Sequence, residues 1–272
     1  MRVLGIYASP RKLGNSEIGV KEIFKNLPND WSKELLNLSN LNLQPCRACY
    51  ACLKQGRSCI LQDDLALLLQ KIKAADRIIL IAPVYFLGEQ TALKLLKDRL
   101  IGLLNEGNDF FRGQPCVIVT THAIKDWEGY AREEMLALAY FLGFKVLGNL
   151  VCQKTLPGDI VDEEGKHNLR ALAKALVTGM PLAPSKDAPL SCPHCQSSLL
   201  QIKPDSTWRC PLCNSTGKLS YAEDKLLLLT DKLTVHRFSP EGLAHHGQVL
   251  LDVNKEFLAR RRQVLSVLKE YK

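Results

Sequence analysis

Eight of the ten cysteines fall into two groups whose spacings are typical of two different kinds of metal site. One group reads C-x2-C-x2-C-x6-C, and the other reads C-x2-C-x14-C-x2-C. A compact run of thiols with no histidine nearby is typical of an iron–sulfur cluster, whereas two knuckles a hairpin's length apart suit one tetrahedral ion. The predicted ligands are Cys46, Cys49, Cys52 and Cys59 in the first group and Cys192, Cys195, Cys210 and Cys213 in the second.

The second group predicts a structural metal site, because four thiolates fill the shell of one ion and leave no position for a substrate. The short spacer between the knuckles favours zinc. A single iron is the alternative, since each C-P-x-C knuckle resembles that of rubredoxin. The module carries few basic residues, so nucleic acid is not expected as a partner.

The segment from Ser9 to Ser16 (SPRKLGNS) lies between a predicted strand and a predicted helix and could bind phosphate. A helix N-terminus offers free backbone N–H groups and the positive end of a dipole. The hydroxyls of Ser9 and Ser16, the amide of Asn15 and the guanidinium of Arg11 could all donate to phosphate oxygens. The alternative is an ordinary helix start that is capped by Asn15 or Ser16.

The segment after the third predicted strand could bind a planar ring system. Pro83, Val84, Tyr85 and Phe86 form an apolar, partly aromatic run at a strand's carboxyl end. Flat apolar side chains of this kind can pack beside a ring. The alternative is that these side chains only fill the core.

Alternating strands and helices position these segments. Apolar runs predict strands at 2–8, 33–38, 77–82, 115–121 and 145–152, and helical patterns occur at 17–27, 63–75, 91–104, 128–142 and 163–178. Five alternations predict a doubly wound, five-stranded parallel sheet with helices on both faces. Ligands of such sheets bind at the carboxyl ends of the strands, where the loops described above lie.

The predicted domain organisation follows from where this alternation stops. Residues 1–180 form the α/β domain with its cysteine-rich loop at 46–59, and the proline-rich residues 181–191 form a linker. The four-cysteine module occupies 192–218, and 219–272 form a C-terminal extension with a long helix that begins at Ser239-Pro240.

Composition points to a cytoplasmic protein. The net charge of +8 suits an anionic ligand, and neither a leader peptide nor an apolar run long enough for a membrane span is expected. In a reducing compartment, clustered cysteines are metal ligands rather than disulfides. Cys116 and Cys152 lie in strand-like runs and are interpreted as buried small side chains.

The motifs together resemble those of the flavodoxin-like NADPH-dependent FMN reductase family, and most of all its iron–sulfur flavoproteins. The resemblance covers about residues 1–180. It rests on the SPRK and GNS residues, the cysteine run followed by Asp63-Asp64, and the PVYF residues followed by Leu93-Lys94 and Asp98-Arg99.

The resemblance implies FMN bound non-covalently and a [4Fe–4S] cluster in the compact cysteine motif. The FMN phosphate would lie at Ser9, Arg11, Asn15 and Ser16, and the isoalloxazine at Pro83, Val84, Tyr85, Phe86 and Thr121. Electrons would pass between the cluster and FMN, with no catalytic side chain required. The resemblance also implies a homodimer or homotetramer and a redox partner, either a protein or NAD(P)H.

Two other functions are carried as alternatives. One is an NAD(P)H-dependent FMN or quinone reductase whose cysteines 46–59 are reduced thiols. The other is a zinc-ribbon binding or scaffold protein whose flavodoxin-like domain has lost its cofactor. The intact SPRKLGNS and PVYF segments argue against the second.

Overall fold

The five predicted apolar strands form one parallel sheet. The structure is a computed structural model that describes residues 1–54, 56–105, 112–184, 188–222, 225–231 and 236–271. The parallel strands are β1 (Arg2–Tyr7), β2 (Ser32–Asn37), β3 (Arg77–Tyr85), β5 (Pro115–His122) and β6 (Lys145–Gln153), with the short antiparallel β4 (Gly88–Glu89) beside β3. The order β2-β1-β3-β5-β6 is that of flavodoxin-like sheets and confirms the predicted fold class.

Helices cover both faces of this sheet. They are α1 (Asn15–Lys25), α2 (Leu65–Ala74), α3 (Thr91–Arg99), α4 (Ala131–Phe141) and α5 (Glu163–Thr178). Alternate side chains of β3 point to opposite faces: Ile78 and Leu80 join one core with α2, α3 and α4, and Ile79 and Ile81 join the other with α1 and α5. Burial on both faces explains why these strands read as continuous apolar runs.

Three element boundaries differ by three residues or more from those predicted. Strand β3 continues to Tyr85 and forms a hairpin with β4, so part of the predicted loop is strand. Helix α3 ends at Arg99, and Leu100–Asn105 continue as a 3-10 helix. Helix α4 begins at Ala131, because Gly129 has a φ of +57°, a left-handed conformation that a helix cannot contain.

The four-cysteine module forms a second, antiparallel sheet in the order β10-β9-β8-β7. Its strands are β7 (Gln201–Ile202), β8 (Thr207–Arg209), β9 (Thr216–Ala222) and β10 (Lys225–Thr230), so the sheet continues beyond residue 218. The module lies on α4 and β6: the ring of Tyr140 in α4 stacks with that of Phe238 at 6.2 Å, and Gln196 accepts a hydrogen bond from Asn149 of β6. Parts of the predicted linker (185–187) and of the predicted C-terminal extension (223–224, 232–235 and 272) lie outside the described residues.

The long helix α6 (Pro240–Leu268) follows the module and begins where it was predicted, with the Ser239 hydroxyl accepting from the Gly242 N–H. It packs against the 3-10 helix Ala51–Leu53 of the cysteine loop and against Leu100–Asn105. None of the helices in the described part of the chain has both the length and the apolar character needed to cross a membrane.

Candidate functional site

Three loops meet at the carboxyl edge of the parallel sheet. Tyr7 of β1 is the register partner of Ile81, and the Ala8 N–H donates to the Ile81 carbonyl at 3.1 Å. Pro83 of β3 is the register partner of Thr121 in β5. The segment that follows β1, the β3–β4 hairpin and the loop after β5 are therefore neighbours, as the predicted topology required.

The β1–α1 loop presents an open helix N-terminus. Gly14 is the N-cap residue of α1, and no side chain caps it, so the predicted caps at Asn15 and Ser16 are wrong. Ser9 and Ser16 are buried beneath the loop surface, whereas Arg11 is exposed. An uncapped N-terminus leaves backbone N–H groups available to an anion.

In the structure, the side chain of Asn15 bonds to the backbone of another loop. Its Nδ2 donates to the Lys154 carbonyl at 3.1 Å, and its Oδ1 accepts from the Gly158 N–H at 2.9 Å. Asn15 thus ties the β1–α1 loop to the loop after β6 with both ends of its amide. Its predicted contact with the FMN phosphate remains a prediction.

The β3–β4 hairpin has a strained turn. Phe86 (φ +49°) and Leu87 (φ +65°) form the two-residue turn between Tyr85 and Gly88, in a left-handed conformation that glycine and asparagine usually occupy. Phe86 is 98% exposed at its tip, and Tyr85 is 40% exposed. The alternative that these side chains only fill the core therefore does not hold for Phe86. Strain of this kind is often retained where a ligand binds.

The loop after β5 supplies aromatic side chains that are not among the predicted site residues. Trp127 and Tyr130 are about half exposed, and the Tyr130 N–H donates to the Leu87 carbonyl at 2.8 Å. A Cβ built on Gly129 would lie only 2.0 Å from that same carbonyl oxygen, so the two loops touch through backbone. The sequence signal that could have indicated them is a pair of aromatic residues on either side of a glycine after the end of a strand.

A buried acid lies beneath the hairpin. Glu89 has a side chain that is 3% exposed and pairs with Lys97 at 2.6 Å, with Glu134 close to the same ammonium. Burial raises the pKa of Glu89 to about 7, although the hydrogen bond from Lys97 opposes the rise. Glu89 therefore carries its proton well above the pH at which an exposed glutamate loses it.

Replacing Glu89 with glutamine should change how stability depends on pH. The unfolded chain releases the Glu89 proton near pH 4.5, whereas the folded protein keeps it to near pH 7, so the folded protein loses stability as pH rises through that window. Glu89→Gln should remove about 3 kcal/mol of this loss. Urea unfolding at about pH 5 and about pH 8 measures it. Glu163→Gln, at an exposed position, is the control, and equal pH slopes in wild type and Glu89→Gln would contradict the prediction.

The cysteine-rich loop is held at its base by two aspartates. Asp64 accepts from the Asn42 N–H at 2.7 Å, and Asp63 accepts from the Gln44 N–H at 2.9 Å. Within the loop, Ala48 (φ +49°) and Tyr50 (φ +54°) adopt left-handed conformations that turn the chain between successive cysteines. The two aspartates therefore close the base of the loop, and the two left-handed residues turn the chain back on itself between the cysteines.

The four cysteines of this loop line one cavity of 260 Å³. Cys46 and Cys49 are exposed, Cys59 is half-buried, and Cys52 is buried. Burial raises the pKa of the Cys52 thiol, and the charges of the neighbouring cysteines, Cys59 first, raise it further. Among the described residues, these sulfurs do not reach the mutual spacing of a single-ion site. A cavity lined by four spread thiols fits a cluster better than one ion.

The later cysteines do reach single-ion spacing. All four are buried, and their sulfurs lie within 4.8 Å of one another, with Cys192–Cys213 at 3.6 Å and Cys195–Cys210 at 3.5 Å. A tetrahedron with metal–sulfur bonds of about 2.3 Å requires sulfurs about 3.8 Å apart. Hydrogen bonding among the sulfurs, from Cys195 above all, lowers the pKa of Cys192. The quartet can hold one tetrahedral ion.

The two knuckles have the same local structure. The N–H of Gln196 donates to the Cys192 carbonyl, and the N–H of Asn214 donates to the Cys210 carbonyl. Gln196 and Asn214 both have positive φ angles, so each occupies the left-handed position that follows a knuckle. The remaining cysteines, Cys116 and Cys152, are buried in β5 and β6, as predicted.

Comparison with known proteins places these features in context. Residues 1–154 match a family described as NADPH-dependent FMN reductase. The chain is 40% identical over 100 residues to an iron–sulfur flavoprotein of Methanocaldococcus jannaschii, a match that covers 36% of this chain and 51% of that protein. It is 28% identical over 174 residues to an iron–sulfur flavoprotein of Archaeoglobus fulgidus, covering 61% and 74%. The chain thus spans about half the length of the first relative.

A solved structure shares the fold over the whole chain. It is described as flavone reductase and aligns with 100% of this chain and 98% of its own, with a TM-score of 0.75 and 18% identity. At this identity the likeness concerns the fold alone. It shows that a fold of this extent occurs in another chain.

Proposed function

The chain belongs to the NADPH-dependent FMN reductase family, and we propose that it is a flavin-dependent oxidoreductase in which electrons pass between FMN and a [4Fe–4S] cluster. The observation that carries the proposal is the cavity of 260 Å³ lined by all four thiols of the compact motif. This cavity belongs to a loop that follows β2, and the candidate FMN loops follow β1, β3 and β5 of the same sheet.

The residues at the carboxyl edge of the sheet fit FMN. The uncapped N-terminus of α1 supplies N–H donors for the phosphate, and Ser9, Ser16 and Arg11 add hydroxyls and a positive charge. Pro83 to Phe86, with Trp127 and Tyr130 of the neighbouring loop, supply apolar and aromatic surface for the isoalloxazine. Bound FMN would carry the redox chemistry, while these residues bind it, orient it and exclude water from it.

The compact cysteine motif fits an iron–sulfur cluster. The proposed ligands Cys46, Cys49, Cys52 and Cys59 offer four sulfurs and no competing nitrogen ligand. The two relatives described above carry "iron–sulfur flavoprotein" in their names. We propose NAD(P)H or a redox protein as partner, a homodimer or homotetramer as the assembly, and the reducing cytoplasm as the compartment that keeps these thiols available.

Cys192, Cys195, Cys210 and Cys213 would hold a structural zinc. Four buried thiolates leave no open coordination position, so the ion would stabilise the module rather than bind substrate. Among the residues that the structure describes, the buried hydrophobic cluster of the module is made of the four cysteines and Trp208. So small a core requires a metal to fold.

Purification without oxygen, followed by an absorbance spectrum and assays of iron, sulfide and zinc, tests the proposal. We expect bound flavin, about four irons and four sulfides, and about one zinc per chain. Flavin and zinc without iron would support the cluster-free FMN or quinone reductase instead. Protein that is colourless and takes up no FMN would overturn both oxidoreductase functions and favour the scaffold alternative.

Replacing Gly129 with alanine should weaken FMN binding. The added Cβ would meet the Leu87 carbonyl oxygen at 2.0 Å and would push the hairpin away from the loop after β5. We expect an affinity loss on the order of tenfold or more, measured by quenching of FMN fluorescence. Gly179→Ala is the matched control: Gly179 also has a positive φ (+71°) but nothing within 4 Å of its Cβ position. Unchanged FMN affinity in Gly129→Ala would contradict this role for the contact.

A further inference from the structure

A buried arginine borders the same cavity as the four thiols. Arg99 is the last residue of α3, and its side chain is 1% exposed. Residues that line the cysteine cavity include Arg99 together with Cys46, Cys49, Cys52 and Cys59. A fully buried guanidinium is rare, because removing a charge from water is costly unless the charge is paired and hydrogen-bonded.

Arg99 is rigidly held on one side. Its Nη1 donates to Asp63 Oδ2 at 2.6 Å and to the Gln44 carbonyl at 2.8 Å, and its Nη2 donates to Asp63 Oδ1 at 3.2 Å. Asp63 is as deeply buried as Arg99 and also accepts from the Gln44 and Leu65 backbone. This two-point pairing fixes the plane of the guanidinium at the base of the cysteine loop.

The pairing does not use the Nε–H of Arg99. The Nε–H of Arg99 is buried and has no acceptor among the described residues. Burial disfavours the charged form of Arg99, but the paired Asp63 and the neighbouring Cys59 favour it and raise the pKa of Arg99. An unmade buried hydrogen bond costs stability. An Arg99–Asp63 ion pair that only held the loop would therefore not be expected to leave the Nε–H of Arg99 without an acceptor beside a cavity of thiols.

The other charged residues that border the cavity are less suited than Arg99 to interact with the sulfurs. Arg47 borders the cavity but is exposed, and Asp98 pairs with Lys94 on the surface of α3. Exposed charges are screened by water, whereas a buried cation acts at close range in a medium of low dielectric constant. Arg99 is therefore the cation best placed to interact with sulfur-borne negative charge.

We propose that Arg99 is a positioning residue for the iron–sulfur cluster, donating a hydrogen bond to sulfur at Cys59 and thereby raising the reduction potential of the cluster. This inference rests on the proposed function. A cluster held by four thiolates is anionic and gains one more negative charge on reduction, so a cationic N–H donor stabilises the reduced form more than the oxidised form. Asp63 acts through Arg99 by fixing its orientation.

The test is the midpoint potential of the cluster in Arg99→Lys, measured anaerobically by titration with dithionite. Lysine keeps a cation near Asp63 but lacks the planar fork and its Nε–H. We expect a lower potential with iron, sulfide and FMN contents unchanged. Arg112→Lys, the same change at an exposed position, should leave the potential at the wild-type value. A fully loaded Arg99→Lys protein with the wild-type potential would overturn the inference but not the proposed function, whereas wild type without iron would overturn both.

A second measurement needs no change at Arg99 and covers the case in which Arg99→Lys fails to fold. Wild-type protein labelled with 15N-arginine should show an arginine nitrogen coupled to the reduced cluster in pulsed electron paramagnetic resonance. The coupling should persist in Arg47→Lys, which removes the other arginine bordering the cavity. Absence of the coupling, or its loss in Arg47→Lys, would overturn the role assigned to Arg99.

Discussion

Replacing Cys49 with serine should release the iron of the protein and spare its FMN. Cys49 is one of four thiols around the cavity, and a serine hydroxyl is a poor ligand for iron–sulfur clusters. We expect a fall from about four irons per chain to near none. The base of the loop should survive, because it is held by Asp63 and Asp64 rather than by metal. The FMN loops follow other strands and should be unaffected.

Iron and sulfide assays beside a flavin spectrum measure the effect of Cys49→Ser. Cys116→Ser is the matched control, since Cys116 is buried in β5 and borders neither metal site. It should keep its iron. Full iron content in Cys49→Ser would show that the ligand assignment is wrong, and loss of both cofactors would show that the loop supports the FMN site structurally.

Cys195→Ser should unfold the four-cysteine module. Among the described residues, the buried hydrophobic cluster of the module consists of the four cysteines and Trp208, so the proposed ion would provide most of the free energy that folds it. Structural zinc sites contribute apparent binding free energies on the order of 10 kcal/mol, far more than one buried tryptophan supplies. Trp208 is 1% exposed and donates through Nε1 to the Leu229 carbonyl, so unfolding would expose it to water.

Zinc content, tryptophan fluorescence and proteolysis near the linker report this unfolding. His194→Ala is the control, because His194 lies between two ligands but outside the sulfur quartet, and it should keep its zinc. The α/β domain should remain folded but lose stability. With the module unfolded, Ser198 would no longer donate to Glu133 and Phe238 would no longer stack on Tyr140. A folded, protease-resistant module without metal would contradict the structural role.

The sequence predicted the sheet well because its signals are local. Runs such as residues 77–82 can be buried only between two helical layers, and β3 has that environment. The β3–β4 hairpin was missed because Phe86 and Leu87 occupy turn positions that usually require glycine or asparagine. Propensity cannot reveal a turn that is imposed by contacts with another loop.

Site residues could be predicted where the spacing of nearby residues in the sequence indicates their chemistry. They were missed where the site depends on contacts between residues that are far apart in the sequence. Both cysteine groups could be recognised from spacing alone. Arg99 and Asp63 were noted only as family motifs, because they are 36 residues apart and their contact exists only after folding. Asn15 shows the same limit. Its position suggested a contact with phosphate, but in the folded chain its amide donates to a loop more than 130 residues later in the sequence.

The packing of α6 on the cysteine loop has a consequence for the order of biosynthesis. About 180 residues separate Cys59 from the start of α6 at Pro240. At 5–20 residues per second, a ribosome needs about 10 to 40 s to make that length of chain. For this interval the loop has left the ribosome while the helix that will cover Ala51–Leu53 does not yet exist. Iron delivered during synthesis would reach a loop that is not yet packed against α6, whereas iron delivered later would reach the loop with α6 in place, from the side of the exposed Cys46 and Cys49.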